Sequence, residues 1–469
     1  MKAKKTSRII KSGLIGGILL SGVLVAVYLY LSAYPSGVRP PLNRTKSFTD
    51  FYFIAEEGGE FHLPTGSHIS IPKDAVVDEE GKKVHGKVRL KFREYHSAEE
   101  IFVAGIPMQR ESDRNEYLES GGMMEIRLEQ GGRELSIKND SDVNIDLANY
   151  RNANVAQDFR MFFLTDDREW DEGRSFETIP NFRRDSALAA LPPAPSIPIS
   201  PVAGEEDRIF SLAFDSRTLP HIKAWHSTEF RFRENIEGLP YEEALRVNWD
   251  QIKVEKSDKE GLLRFSFSFS KANVKGTLIK HHSVFLAEPM LEGEALELAM
   301  AQFEEDMEKY AVTIAKLDQE RARLELEASM LSRFTVENVG IFNIDMLSKL
   351  NAYASVDIQF DFEDEINPLV NQVMLHVILE DRNSVIKLNF PDWDKVPALD
   401  ERVSLAAVLP DGTVAFVDAD KYREVIKAKQ LRKDQQYTFR FNTERISNED
   451  LFDRIDKKTS KRKPEPRFV

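Results

Sequence analysis

The chain has 469 residues, 42% hydrophobic and 30% charged, the balance of a folded protein and not of a disordered one. A formal net charge of −14 argues against nucleic acid as the main partner, because phosphate binding needs a positive field. There is no cysteine, which excludes thiol nucleophiles, thiolate metal sites and disulfides together. Lys2, Lys4, Lys5, Arg8 and Lys11 then precede an uncharged run from Ser12 to Ala33 that is rich in Leu, Ile, Val and Gly. About 20 residues at about 1.5 Å each match the roughly 30 Å hydrocarbon core, so a transmembrane helix is expected over 12–33. The basic residues 1–11 place the N-terminus in the cytoplasm and the bulk of the chain outside. The run is longer than the apolar part of a cleaved signal peptide, and Leu31 stands where cleavage after Ala33 wants a small residue. An uncleaved anchor is therefore expected. Gly13, Gly17 and Ser21 recur every four residues, a small-residue stripe through which two such helices can approach as a homodimer.

Residues 34–47 read as a spacer, with Pro35, Pro40 and Pro41. A β-sandwich domain is expected over 48–180. Its strand-like runs, such as His68–Ile71, Lys87–Phe92 and Met124–Leu128, alternate apolar and polar residues, and glycine pairs such as Gly58-Gly59 and Gly131-Gly132 separate them. Residues 181–206 carry Pro192, Pro193, Pro195, Pro198 and Pro201 and read as a semi-extended linker. A second β-rich domain is expected over 207–291, where Leu263 to Phe269 alternate strictly.

The period changes at 292–331. Leu296, Met300, Phe303, Met307, Tyr310, Ile314 and Leu317 fall at spacings of four and three, and Leu324, Ala328 and Leu331 continue the register past Arg321. This predicts a helix of about 40 residues, spanning about 60 Å. It is either a coiled coil that pairs with a second copy or with a partner, or an internal helix packing one stripe on its own sheet. Residues 332–452 return to strands and can complete the 207–291 domain. Residues 453–469 form a basic tail that is expected to be solvated. The fold class is thus mainly β with one long α-helix.

Two segments carry a resemblance. The first runs through Ile69-Ser70-Ile71-Pro72-Lys73-Asp74 and Gly86-Lys87-Val88-Arg89-Leu90-Lys91-Phe92-Arg93, then Ala104-Gly105-Ile106-Pro107-Met108 and Glu119-Ser120-Gly121-Gly122-Met123-Met124. The second is Val339-Gly340-Ile341-Phe342-Asn343-Ile344-Asp345. Both resemble a family of anchored Gram-negative envelope proteins without an assigned activity. The N-terminal part of that family is in turn distantly similar to the β-sandwich of zonula occludens proteins, netrin receptors and ankyrins. The resemblance implies a β-sandwich module, a periplasmic site and a structural or interaction role, and it carries over no catalytic residue.

The chain lacks a phosphate-binding loop, a dinucleotide fingerprint, a nucleophile elbow and an H-E-x-x-H helix. Neither a cofactor nor a metal site is expected. Asp140, Asp142, Asn144 and Asp146 alternate and present oxygens to one face, but lack the glycine and terminal glutamate of a calcium loop. His281-His282-Ser283 is similar to the His-Phe-Ser at which some proteins with the related sandwich cleave themselves, the serine attacking the preceding carbonyl with the histidine as base. His281 and Ser283 are the candidate pair for that step. The leading reading is a non-enzymatic, single-pass membrane protein that binds another envelope protein or the cell wall. The alternatives are a membrane-tethered hydrolase with a triad assembled from distant residues, or a self-cleaving β protein.

Overall fold

The structure, a computed structural model, describes residues 40–109, 116–151, 158–191, 200–203, 208–214, 219–249, 251–272, 278–349, 355–361, 373–389, 392–397, 401–411, 413–428, 436–442 and 445–460. The expected membrane helix at 12–33, with Gly13, Gly17 and Ser21, lies outside them. Among the described residues no helix is long and apolar enough to cross a membrane. The chain divides into two compact units, the first made from residues up to Phe182 together with those from Leu326 onward, the second from Arg183–Glu325.

The first unit begins with β1 (Thr49–Ile54), β2 (Gly59–His62), β3 (His68–Ile71), β4 (Val76–Val77), β5 (Lys87–Tyr95) and α1 (Ala98–Ala104). It continues with β6 (Glu116–Gln130), β7 (Arg133–Ile137), β8 (Val143–Asn149), β9 (Arg160–Leu164), β10 (Trp170–Glu172) and β11 (Glu177–Pro180). The second unit holds α2 (Phe182–Ala190), β12 (Ser200–Ala203), β13 (Ile209–Ala213), β14 (Glu229–Gly238), α3 (Tyr241–Ala244), β15 (Gln251–Lys256), β16 (Leu263–Ala272), β17 (Leu278–Pro289) and α4 (Glu294–Leu326). The first unit then resumes with β18 (Met330–Val336), β19 (Gly340–Lys349), β20 (Ser355–Asp361), β21 (Met374–Leu379), β22 (Ser384–Asn389), β23 (Val396–Pro397) and β24 (Val403–Val408). It ends with β25 (Thr413–Val417), α5 (Ala419–Ala428), β26 (Gln436–Asn442), β27 (Arg445–Ser447) and α6 (Asn448–Ser460).

Alternation sets the first core. In β5, Val88, Leu90 and Phe92 are fully buried while the residues between them are not, the signature of a strand with one face inward. The sheet ordered β1-β5-β6-β19-β9-β10 and the sheet ordered β11-β18-β8-β3-β2 contribute to one cluster, with Ile126 and Phe342 from the first and Ile69, Ile145 and Phe334 from the second. Two sheets sharing one apolar core is the packing the alternation predicts. Strand β6 is buried along nearly all its length, because Leu118 and Met123 enter a further cluster with α1 and α6.

The chain after the long helix joins the first unit, which corrects the expectation that 332–452 completes 207–291. β18 pairs with β8 and β11, and β19 pairs with β6 and β9. A smaller sheet, β22-β21-β24-β25-β27, follows in the same unit. The basic tail is also shorter than expected. Residues 448–460 are helix α6, and Leu451 and Ile455, one turn apart, are buried. Lys458 reaches Glu99 at 2.7 Å and Glu380 at 3.1 Å, two carboxylates that are almost wholly buried. The expected linker 181–206 contains α2 and β12, since Phe182–Ala190 is free of proline and rich in helix formers.

The second unit carries its own sheet, β12-β13-β14-β17-β16-β15, all antiparallel. Its core is aromatic: Phe210, Phe230, Phe265 and Phe285 pack edge-on and stacked with Trp225 beside them. Helix α4 has 33 residues, and its N-terminal half lays Met300, Phe303 and Met307 on this core. That contact follows the internal of the two readings for this part of the stripe. Ala328 and Leu331, the last members of the sequence register, lie beyond the helix. Phe303 is 3% exposed and touches Trp225 at a ring separation of 5.5 Å. Phe303→Ala is expected to cost about 3–5 kcal/mol, read as a lowered denaturation midpoint of the Trp225 fluorescence transition.

Candidate functional site

The turn between β2 and β3 supplies Thr65 and Ser67, and the end of β5 supplies Glu94 and His96. Here a serine, a histidine and a carboxylate do converge. Ser67 Oγ donates to Glu94 Oε1, Thr65 Oγ1 donates to Glu94 Oε2 at 2.8 Å, and His96 Nε2 stands 3.4 Å from Glu94. The backbone amide of Ala148 donates to Ser67 Oγ at 2.7 Å, which ties the turn to β8. Burial works to raise the Glu94 carboxyl, but the bond and charge of His96, with Ser67 and Thr65, outweigh it and hold the group below its usual value.

A hydrolytic serine gives its proton to a histidine and faces a pocket. Ser67 instead spends its proton on the carboxylate and is fully buried. The cluster is therefore a structural brace. A second closed network lies nearby, where Arg382 bridges Glu401 and Glu119 and Tyr117 donates to Glu119 at 3.0 Å. Asp345, fully buried on β19, has its carboxyl pushed well above the usual range by burial.

The second unit holds an open groove of about 700 Å³. Its lining includes His221, Glu237, Gln251, Lys253, His282 and Tyr310. The His221 and Tyr310 rings stack at 3.8 Å, one from the 3-10 turn at Pro220–Trp225 and the other from α4. Burial lowers the His221 pKa to about 4. Glu237 Oε1 stands 2.8 Å from His282 Nε2. Gly238 follows at a φ of +81°, and a Cβ there would lie 2.1 Å from the His282 carbonyl oxygen. Only glycine lets β14 approach β17 so closely beside this pair.

The groove offers acceptors, donors and an aromatic face, with Lys253 offsetting Glu237. The recess, which Ser266 and Ser268 also line, has chemistry suited to binding. Spacing could not reveal it, because His221 and Tyr310 are brought together only by α4 folding back on the sheet. The nearest sequence signal was Tyr310, the one hydroxyl-bearing side chain in the stripe from Leu296 to Leu317.

The sequence candidates fall elsewhere. Ser283 is fully buried in the ladder of β17, pairs with Gly238 and Phe267, and donates Oγ to the Leu239 carbonyl at 2.8 Å. His281 stacks on Phe269 at 4.6 Å. Self-cleavage needs a strained turn that offers the preceding carbonyl, whereas here the tripeptide is continuous strand and the hydroxyl is already bonded. The acidic run is also committed, because Arg174 pairs with Asp142 at 2.9 Å and Arg333 takes both oxygens of Asp146. No protein-family model, no curated protein and no solved structure matches this chain.

Two outcomes follow. The purified chain is expected to run as a single full-length band on a denaturing gel after prolonged incubation at neutral pH; two fragments joining near residue 282 would restore self-cleavage. Second, His221 stays neutral in the folded state down to about pH 4, whereas the unfolded chain takes up this proton near pH 6.5. Because the unfolded state binds the proton first, stability falls as pH drops from about 6.5 to about 4. In His221→Gln the slope of unfolding free energy against pH in that window is expected to be shallower than in the parent protein.

Proposed function

We propose that this protein is a membrane-anchored, extracytoplasmic module of the cell envelope that acts by contact and not by catalysis, with the groove of the second unit as its contact surface. The observation that carries the reading is the groove itself: an open, charge-balanced recess with a stacked histidine and tyrosine at its wall. Mixed polar groups around an aromatic face suit recognition of another envelope protein or of the cell wall. The uncharged run 12–33 and the spacer 34–47 support the anchor, and the two sheets of the first unit suit a β-sandwich module. The competing reading is a tethered hydrolase. The buried, carboxylate-bound hydroxyl of Ser67 speaks against it.

The test places a photo-reactive amino acid at Gln251 or Lys253 in intact cells, with Glu79, an exposed residue of the first unit, as control position. Illumination is expected to give a discrete adduct from the groove positions alone, in the membrane or cell-wall fraction. Adducts no different from those at Glu79 would remove the groove as a contact surface.

A further inference from the structure

The six-stranded sheet of the second unit ends in two unlike edges. At one end β12 has four residues and carries Pro201, whose ring nitrogen has no hydrogen to donate. At the other end β15 has six residues, Gln251–Lys256, with neither proline nor glycine. The Ser257 amide donates to the Leu262 carbonyl at 3.0 Å, in the register of the β15–β16 ladder, and so fixes which of its pairs are hydrogen-bonded. Such pairs alternate along an antiparallel ladder, so Gln251, Lys253 and Glu255 bond to β16. The N–H and C=O groups of Ile252, Val254 and Lys256 therefore point away from it. Among the described residues these groups have no hydrogen-bond partner.

There is room beside this edge. The open groove is lined by Ile252 and Met307, which pack with the aromatic core, and by Gln251, Lys253 and Ser266 of the other face. A recess that meets both faces of a sheet rounds an edge, and β15 is the edge strand in its lining.

We infer that β15 is the interface through which two copies of this chain pair, strand to strand and antiparallel, about a two-fold axis at Val254. In that register Val254 faces the partner's Val254, and Ile252 faces the partner's Lys256. Each copy then donates the three free N–H groups and accepts at the three free C=O groups, so the whole edge is satisfied. The charges select the same register. Lys253 comes opposite the partner's Glu255, and Glu255 opposite the partner's Lys253. These are the non-hydrogen-bonded pairs, whose Cα atoms lie about 4.5 Å apart and whose side chains are closest. Moving the axis one residue sets Lys253 against the partner's Lys253, or Glu255 against the partner's Glu255, and like charges opposite one another repel. Lysine on an edge ordinarily blunts pairing, but here a glutamate two residues on makes the strand its own complement.

The inference does not rest on the contact role of the groove, although β15 forms part of its rim. Within one chain Lys253 Nζ already stands 2.6 Å from Glu255 Oε1, so the test must separate contacts inside a chain from contacts between chains.

The experiment follows the full chain in detergent by sedimentation over a concentration series. A monomer–dimer equilibrium is expected, with Lys253→Glu and Glu255→Lys each weakening the dissociation constant at least tenfold. An equimolar mixture of the two variants is expected to regain the parent's affinity, because each cross-strand pair is then again one acid and one base. No rearrangement inside a chain gives that recovery, and association through the membrane run 12–33 does not respond to charge at these positions. The two side chains are 64% and 39% exposed, so circular dichroism should show both variants folded. Variants that associate like the parent, or a mixture that fails to recover, overturn the proposal. A parent chain that stays monomeric leaves the edge to a segment of another protein and overturns it too.

Discussion

Neither sheet around the first core is complete until residues 330–349 return to it. Strand β19 sits in the interior of its sheet between β6 and β9, and β18 sits between β8 and β11. Without them the interior edges of β6, β9 and β8 would leave rows of backbone donors and acceptors unpaired. The intervening residues 183–325 fold as a unit of their own, and they leave and rejoin at neighbouring points, since Pro180 pairs with Met330. Closing so long a loop is costly in chain entropy, but the cost grows only with the logarithm of its length. A prefolded second unit whose ends lie close lowers it further. Arg184 donating to the Leu324 carbonyl at 3.1 Å ties those ends within that unit.

The rest of the first unit builds on this closure. With β19 in place, β6 is interior to its sheet and is packed on both faces, one by the shared core and the other by α1, α6 and the C-terminal sheet. The charges there follow from the packing. Glu99 and Glu380 are buried by α1, α6 and the turn after β21, and Lys458 stands between them as the counter-charge. Burial works to raise the Glu380 carboxyl, yet Ser404, Lys458 and Arg402 together hold it below its ordinary value. A buried carboxylate survives only with such partners. Glu94, with Ser67, Thr65 and His96, repeats the pattern at the end of β5 that leads into α1.

Strand identity was readable wherever one face is buried. The alternation in Lys87–Phe92 and in Leu263–Phe269 marked β5 and β16, and the four-and-three spacing from Leu296 marked α4. Pairing partners were not readable, because alternation says which way a side chain points and nothing about which strand lies beside it. So residues 332–349 could be recognised as strands while their partners were misassigned. Helix α6 was overlooked because its charged residues outnumber the apolar ones, and only Leu451 and Ile455 reveal a buried stripe.

The candidate sites divide the same way. His281-His282-Ser283 stood out because its members are adjacent, yet adjacency on a strand sends neighbouring side chains to opposite faces. The groups that do meet come from afar: Ser67 with Glu94 and Ala148, His221 with Tyr310, and His68 with Asp146. The His62–His68 pair, by contrast, had a local signal, a Pro-Thr-Gly turn centred between the two histidines.

By itself the sequence determined composition, strand and helix periods and the position of the long helix, since these depend on which residues are apolar and how often they recur. Only the tertiary structure decided that the chain after the helix belongs with the chain before the second unit, and which polar groups face one another. Hydrogen-bond pairing and burial are properties of neighbours in space, and a period along the chain does not encode them.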